Sequence, residues 1–247
     1  MKVFICIDDT DNLESIGTGH LAARLAADLE EKNWGKSSFI TRHQLFVHPD
    51  VPYTSHNSAM CFEADLHDAF LSPLIDHAAS FLKQHSAPGS DPGLCVAVAD
   101  RLKNPARIIA FGNKAKHQVL GKAEAFALAQ QHGLHLSEHG GTGDGIIGAL
   151  AGVGLRLGKN DGRVRGKLQV TSVNNTASVA DILSQVEVAD VTTMSGRPLG
   201  VKERISLGEW VKAVFIGGSP VLLVEPLDPP QENASWRICT KEELRRY

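Results

Sequence analysis

Three carboxylates stand within four consecutive positions near the start of the chain, Asp8, Asp9 and Asp11, with the hydroxyl of Thr10 between them and Asn12 after them. Side chains alternate along a strand and splay beyond its end, so two or three of these acids can converge on one point. Like charges that close repel. A magnesium ion relieves them, because it takes hard oxygen ligands and commonly bridges one or two carboxylates to a substrate's phosphates. The chain then passes through Gly17-Thr18-Gly19 into His20 to Trp34, where Leu21, Leu25 and Leu29 recur every four residues, the spacing of one helical face. The acids are therefore expected between an apolar strand, Lys2 to Ile7, and a helix N-terminus whose amides and dipole attract an anion. Single Asp residues in such turns serve as caps or solvated groups. Three of them beside a hydroxyl favour metal and phosphate chemistry.

A second element runs from His139 to Gly148 and holds five glycines in ten residues, followed by the small apolar run Ala149 to Leu155. Such a loop entering a helix can wrap phosphate with the amides around Gly140, Gly141, Gly143 and Gly145, while the helix itself approaches its neighbours closely enough to require Gly and Ala. Gly143, Gly145 and Gly148 formally spell G-x-G-x-x-G, yet the acid at suitable distance, Asp161, lies in a turn, which argues against a nicotinamide-binding fold. The Gly-Lys-Ser ending of a P-loop is missing, so any nucleotide is expected to meet amides without that lysine. His139, just ahead of the loop, could face a phosphate as an imidazolium. The alternative is that these glycines serve only turn geometry and helix packing.

The elements that must position these groups follow an α/β rhythm. Strands are read at Ser38 to Thr41, Gln44 to Val47, Ala59 to Glu63 and Leu94 to Ala99, helical periodicity over Asp68 to Gln84, and a mostly helical stretch from Pro105 to His132 with a short strand at Leu134 to Ser137. Beyond residue 158 the chain becomes β-rich, with strands at Gly162 to Val170, Val186 to Thr193, Ile205 to Leu207, and a hairpin of Trp210 to Ile216 with Val221 to Pro226 around Gly217-Gly218. Thr240 to Glu243 has a capping-box pattern for a short terminal helix. Arg197, Lys202 and Arg204 form a small basic cluster, read first as a solvated turn and second as a phosphate contact.

The 247 residues carry a net charge of −3, with 43% hydrophobic and 21% charged residues. That is ordinary globular composition with no global attraction to nucleic acid or anionic membrane. The N-terminal residues read as neither a secretory nor a transit signal, and no apolar run reaches membrane-spanning length, so a cytoplasmic protein with no membrane partner is expected. Cys6, Cys61, Cys95 and Cys239 are far apart in apolar contexts, the signature of buried thiols. His132, His135 and His139 flank Gly133, which keeps them off one helical face and argues against zinc.

In order and approximate spacing, Ile7-Asp8-Asp9-Thr10-Asp11, Gly17-Thr18, Pro52-Tyr53, Asn57, Asp91-Pro92-Gly93 and Gly143 through Ala151 resemble the archaeal tRNA-isoleucine agmatinylcytidine synthetase over about the first 155 residues. The resemblance implies a kinase-like α/β domain from 1–50 and 134–158, a ferredoxin-like domain at 51–133 and, here, a β-rich C-terminal domain at 159–247. It implies ATP and magnesium as cofactors. Asp8, Asp9 and Asp11 would hold the metal and act in catalysis with Thr18, which matches a threonine that can become phosphorylated. Gly17, Asn57, His139, Gly140, Gly141, Gly143 and Gly145 make up the expected nucleotide-binding set. The departures are also specific. Nothing after Arg156 reads as the family's zinc ribbon, and Val47 to Asn57 carries neutral or weakly basic residues where the family has Arg and Lys, which weakens phosphate-backbone contacts. The expected function is thus an ATP- and magnesium-dependent phosphotransferase or ligase whose acceptor, a small molecule or an RNA, is not intact tRNA held in the family's way. A nucleotide sensor without turnover is the alternative. Asp9-x-Asp11 also resembles the nucleophile pair of haloacid-dehalogenase-like phosphatases, although Leu13 stands where that family has Thr or Val and its later signatures are missing.

Overall fold

Residues Lys2–Asp8 form strand β1, apolar on both faces because helices cover both. The computed structural model describes residues 1–51, 57–172, 174–231 and 233–247; Pro52 and Tyr53 of the motif above, with Thr54 to His56, lie outside the described residues. The chain divides into two compact units, Met1–Gly158 and Lys159–Tyr247.

In the first unit β1 is followed by α1 (Thr18–Glu31), β2 (Gly35–Ser37), β3 (Thr41–Gln44), β4 (Ser58–Leu66), α2 (Leu71–His85), β5 (Gly93–Val98), α3 (Pro105–Ala115), α4 (Lys122–His132), β6 (His135–Glu138) and α5 (Gly145–Gly158). The strand order is β6-β5-β1-β4-β3, with β2 also on β4. Every pairing among these strands is antiparallel. Residues 51–133 thus supply both neighbours of β1. Period-two alternation sends Val3, Ile5 and Ile7 into one core with Leu21, Leu25 and Leu29 of α1 and Leu74, Phe81 and Leu82 of α2. Phe4 and Cys6 go to the opposite core with α3, α4 and α5. Asp8 has the parity of Cys6, so it ends the face that α5 covers.

Helix α5 lies close because its small residues permit it. A methyl group on Gly152 would collide with Cys6 Sγ, and one on Gly112 of α3 would lie 2.7 Å from the Ala151 carbonyl oxygen of α5. The expected Gly and Ala packing helix is therefore present.

Strands on the β2–β3 edge are shifted from the sequence reading. Phe39 and Ile40 leave the β4 ladder after the Ser38 N–H bond to the Glu63 carbonyl at 2.8 Å, and the β2 pairing starts at Gly35 opposite Leu66, where a side chain at Gly35 would strike the Asp65 carbonyl. The helical stretch from Pro105 also breaks, at residues 116–121, with Gly121 preceding α4.

The second unit contains β7 (Arg163–Val164), β8 (Thr176–Ser178), α6 (Val179–Gln185), β9 (Asp190–Thr193), β10 (Arg204–Ser206), β11 (Ala213–Ile216), β12 (Ser219–Gln231) and β13 (Ala234–Ile238). Strands β11 and β12 form the expected hairpin, Ile216 opposite Ser219, around Gly217 and Gly218 at φ 63° and 84°, values that glycine adopts readily. Its core gathers Ile182, Val191, Ile205, Leu222 and Val224. The sequence reading overlooked β8, α6 and β13 and overextended β7 and β9. Ser178 and Asp181 cap α6 reciprocally. The basic cluster is engaged within the unit, with Arg197 over the Trp236 ring at 4.9 Å and Arg204 Nε donating to the Asn233 carbonyl at 3.1 Å. All four cysteines are buried thiols.

Candidate functional site

Where β1 ends, the acids turn into a cavity of about 430 Å³ in the first unit, a volume suited to a small organic ligand. Asp8, Asp9, Asp11, Gly17, Thr18, Asn57 and Gly145 line it, so the structure brings these predicted residues together. His139, Gly140, Gly141 and Gly143 stay outside that lining. Sequence reasoning missed Asp91, Asp144, Arg42 and Lys122, which also line the cavity. Leu45, Phe46, Val119, Leu120 and Ile147 contribute an apolar wall to the same cavity, with Leu45 close to Asp8 across Gly148.

Asp8 is 8% exposed, and burial, followed by the negative charges of Asp9 and Asp11, pushes its carboxyl up to about 8 against a hydrogen bond from the Asp9 backbone. Asp9 takes the left-handed conformation, φ 50°, which a short polar side chain tolerates. Burial and then the charges of Asp91, Asp11 and Asp144 raise Asp9 to about 6. Asp8, Asp9, Asp11, Asp91 and Asp144 thus face one space, and the first two hold their protons above the usual carboxylate range because they are buried in a negative field. Among the described residues no three His, Cys, Asp or Glu side chains are arranged as a ready-made metal cluster. Magnesium does not require one, since it draws on one or two carboxylates and completes its shell with water and phosphate oxygens. The all-oxygen donor set and the surplus of negative charge fit such a cation.

Thr18 opens α1 and is buried, its Oγ1 accepting a hydrogen bond from Thr10 Oγ1 at 3.0 Å. Gly17 (φ 82°) precedes it, and a methyl group there would stand 3.6 Å from Asp11 Oδ2. Asn57 shapes the apolar wall: its Nδ2 donates to the Phe46 carbonyl at 2.7 Å, and its own carbonyl accepts from Gln44 Nε2 at 2.7 Å.

The glycine loop lies against the acids but turns its groups inward. The Gly145 N–H donates to the Asp91 carbonyl at 3.1 Å, and the His139 N–H to that of Pro92 at 2.8 Å. A side chain on Gly145 would collide with the backbones of Asp91 and Gly93. His139 hydrogen-bonds Ser137 Oγ at 2.8 Å, which is also 2.9 Å from His135 Nε2. Burial, then the charges of Lys83 and His135, push His139 down to about 4, so at neutral pH the ring carries no charge and the imidazolium expected opposite a phosphate is not formed.

A mixed α/β fold with an acid-lined cavity at a strand end defines the molecule at the level of class. No protein-family profile and no curated protein matches the sequence. Solved structures similar to it include a tRNA fluorescent labeling enzyme, with a TM-score of 0.55 and 28% identity, covering 62% of this chain and 36% of that one. TiaS, an agmatidine synthetase for an isoleucine tRNA, is similar in its complex with that tRNA and ATP, with a TM-score of 0.54, 28% identity and the same two coverages. Its complex with the tRNA, AMPCPP and agmatine gives a TM-score of 0.53 and 27% identity over 62% of this chain and 36% of that one. The likeness to the agmatinylcytidine synthetase read from the motifs is therefore present in three dimensions. This chain spans little more than a third of the length of those proteins.

Proposed function

We propose that this chain binds ATP with magnesium in the cavity beside Asp8, Asp9 and Asp11 and uses it as a phosphotransferase or ligase toward an RNA or small-molecule acceptor. The observation that carries the reading is the cavity's mixed lining, acidic and apolar. Its carboxylates and the start of α1 suit a metal-bound polyphosphate, and its apolar lining residues suit a nucleobase. Its likeness to TiaS, seen bound to ATP and to AMPCPP, supports the same reading.

Asp8, Asp9 and Asp11 would hold the metal, which when bound neutralises charge on phosphate oxygens. The step available is attack of an acceptor oxygen on a phosphorus of ATP. The new P–O bond forms as the bond to departing ADP or pyrophosphate breaks. The Thr18 hydroxyl is an acceptor within the chain itself.

Incubating the purified protein with labelled ATP and magnesium tests this. Turnover or labelling of Thr18, both lost in Asp9→Asn, supports an enzyme. Binding without either makes the chain a nucleotide sensor, and no binding at all defeats both.

A further inference from the structure

Outside the acids, the chain of contacts that the functional reading leaves unused runs through the glycine loop. Lys122, the first residue of α4, lines the cavity. Its Nζ donates to Glu138 Oε1 at 2.8 Å and to the Thr142 carbonyl at 2.5 Å. Glu138 can reach this position only because Gly143 (φ 77°) lacks a side chain: a methyl group there would come within 2.5 Å of Glu138 Oε2 and 2.8 Å of its Cγ. From the same turn the Thr142 N–H donates to Asp91 Oδ1, and Asp91 also lines the cavity.

The loop therefore has two arms. One, Gly143 to Glu138 to Lys122, orders the ammonium of a residue that lines the cavity. The other, Thr142 to Asp91, fixes a carboxylate there. A loop that wrapped phosphate with its own amides would aim them at the ligand, whereas here the Thr142 amide is spent on Asp91, and Gly140, Gly141 and Gly143 lie outside the cavity lining.

We propose that Lys122 is the cation that meets the nucleotide's phosphates, and that the glycine loop acts by holding Lys122 in place rather than by cradling phosphate itself; this rests on the nucleotide reading above. An ammonium carries three donors. Among the described residues two are taken by Glu138 and Thr142, which orients the side chain and leaves a third for a phosphate oxygen. Arg42, the other basic side chain of the lining, has its Nε donating to Ser58 Oγ at 2.9 Å and its Nη2 to Gln44 Oε1 at 3.5 Å. Lys122 thus supplies from α4 the point charge that a P-loop would supply from its own sequence. Glu138 is a positioning residue in this arrangement.

The test is calorimetric titration of magnesium-ATP into the full chain at two ionic strengths, for wild type, Lys122→Gln, Lys122→Arg and Glu138→Gln, with circular dichroism to confirm folding. Loss of a charge-assisted contact predicts about 10- to 100-fold weaker binding in Lys122→Gln and a shallower salt dependence. Lys122→Arg should recover most of the affinity, and Glu138→Gln should fall between. Binding by Lys122→Gln within twofold of wild type would overturn the proposal while leaving the nucleotide reading intact. Weaker binding with an unchanged salt dependence would also overturn it, by making the lysine merely structural. A wild-type chain that binds no nucleotide removes both at once.

Discussion

Gly148 of α5 leaves the space that the Asp8 carboxylate fills. A methyl group on its α-carbon would overlap Asp8 Oδ2 and lie 2.6 Å from Asp8 Cγ and 3.0 Å from Leu45 Cδ1. The strand that carries the acid and the helix that follows the glycine loop therefore meet at the site itself.

Gly148→Ala should destabilise the chain by about 2 kcal/mol, an overpacking cost, and should displace Asp8 and remove magnesium-dependent nucleotide binding. Gly158→Ala in the same helix, where the nearest outside atom is Ile109 Cγ2 at 3.4 Å, should do neither. Chemical denaturation and nucleotide titration of the two variants check the contrast.

The folded-state carboxyl of Asp8, raised to about 8, holds a proton that the unfolded chain releases near 4. A raised acid makes the native state bind more protons across that interval, so ligand-free stability should fall as pH rises from about 4 to 8. Asp8→Asn should flatten this slope, and millimolar magnesium should flatten it in wild type. Melting temperatures measured across the interval, with and without the metal, read both effects.

Thr18→Val strands the buried Thr10 hydroxyl that now donates to Thr18 Oγ1, at a cost of about 1–3 kcal/mol. Thr18→Ser keeps the contact and should remain close to wild type. Intact-mass measurement after incubation with ATP should show a phosphoryl increment in wild type and Thr18→Ser and none in Thr18→Val.

In the second unit Arg237 clamps Glu243 through two bonds of 2.8 Å and 2.6 Å, while the Thr240 amide donates to Glu243 at 2.7 Å. The Arg237 bond first, and the Thr240 bonds after it, hold Glu243 down near 2. The depressed acid contributes stability above about 4.5 that is lost as pH falls toward 2. The pair is about one-third exposed, so Glu243→Gln should cost at most ~1 kcal/mol. Hydrogen-exchange protection at residues 240–247, corrected for the intrinsic pH dependence of exchange, should fall in the variant at pH 7 and in wild type as pH approaches 2.

Much of the frame was legible because its signals are local and periodic. The apolar run of β1, the leucine spacing of α1, the Gly217-Gly218 turn and the Thr240–Glu243 cap each announce an element within a few residues. Asp8, Asp9 and Asp11 were legible for the same reason. The other half of the site was not, because it is assembled across the sheet. Asp91 comes from the loop before β5 and Lys122 from a helix after an unpredicted break at 116–121, and neither has a local pattern tying it to residue 8. Gly143 was read as an anion binder because a glycine-rich turn looks the same in sequence whether its amides face a ligand or a neighbouring carboxylate.

Strand β1 is paired along its length to β4 on one edge and to β5 on the other, so the backbone leading to the Asp8 carboxyl is held from both sides. In the ligand-free protein proton uptake relieves the crowding of that carboxyl by its neighbours, and the magnesium proposed for this site would displace the proton. Under that proposal, loading the ligand-free protein at neutral pH would be an ion-exchange reaction, and its measured heat would carry the ionisation enthalpy of whichever buffer accepts the displaced hydrogen ion.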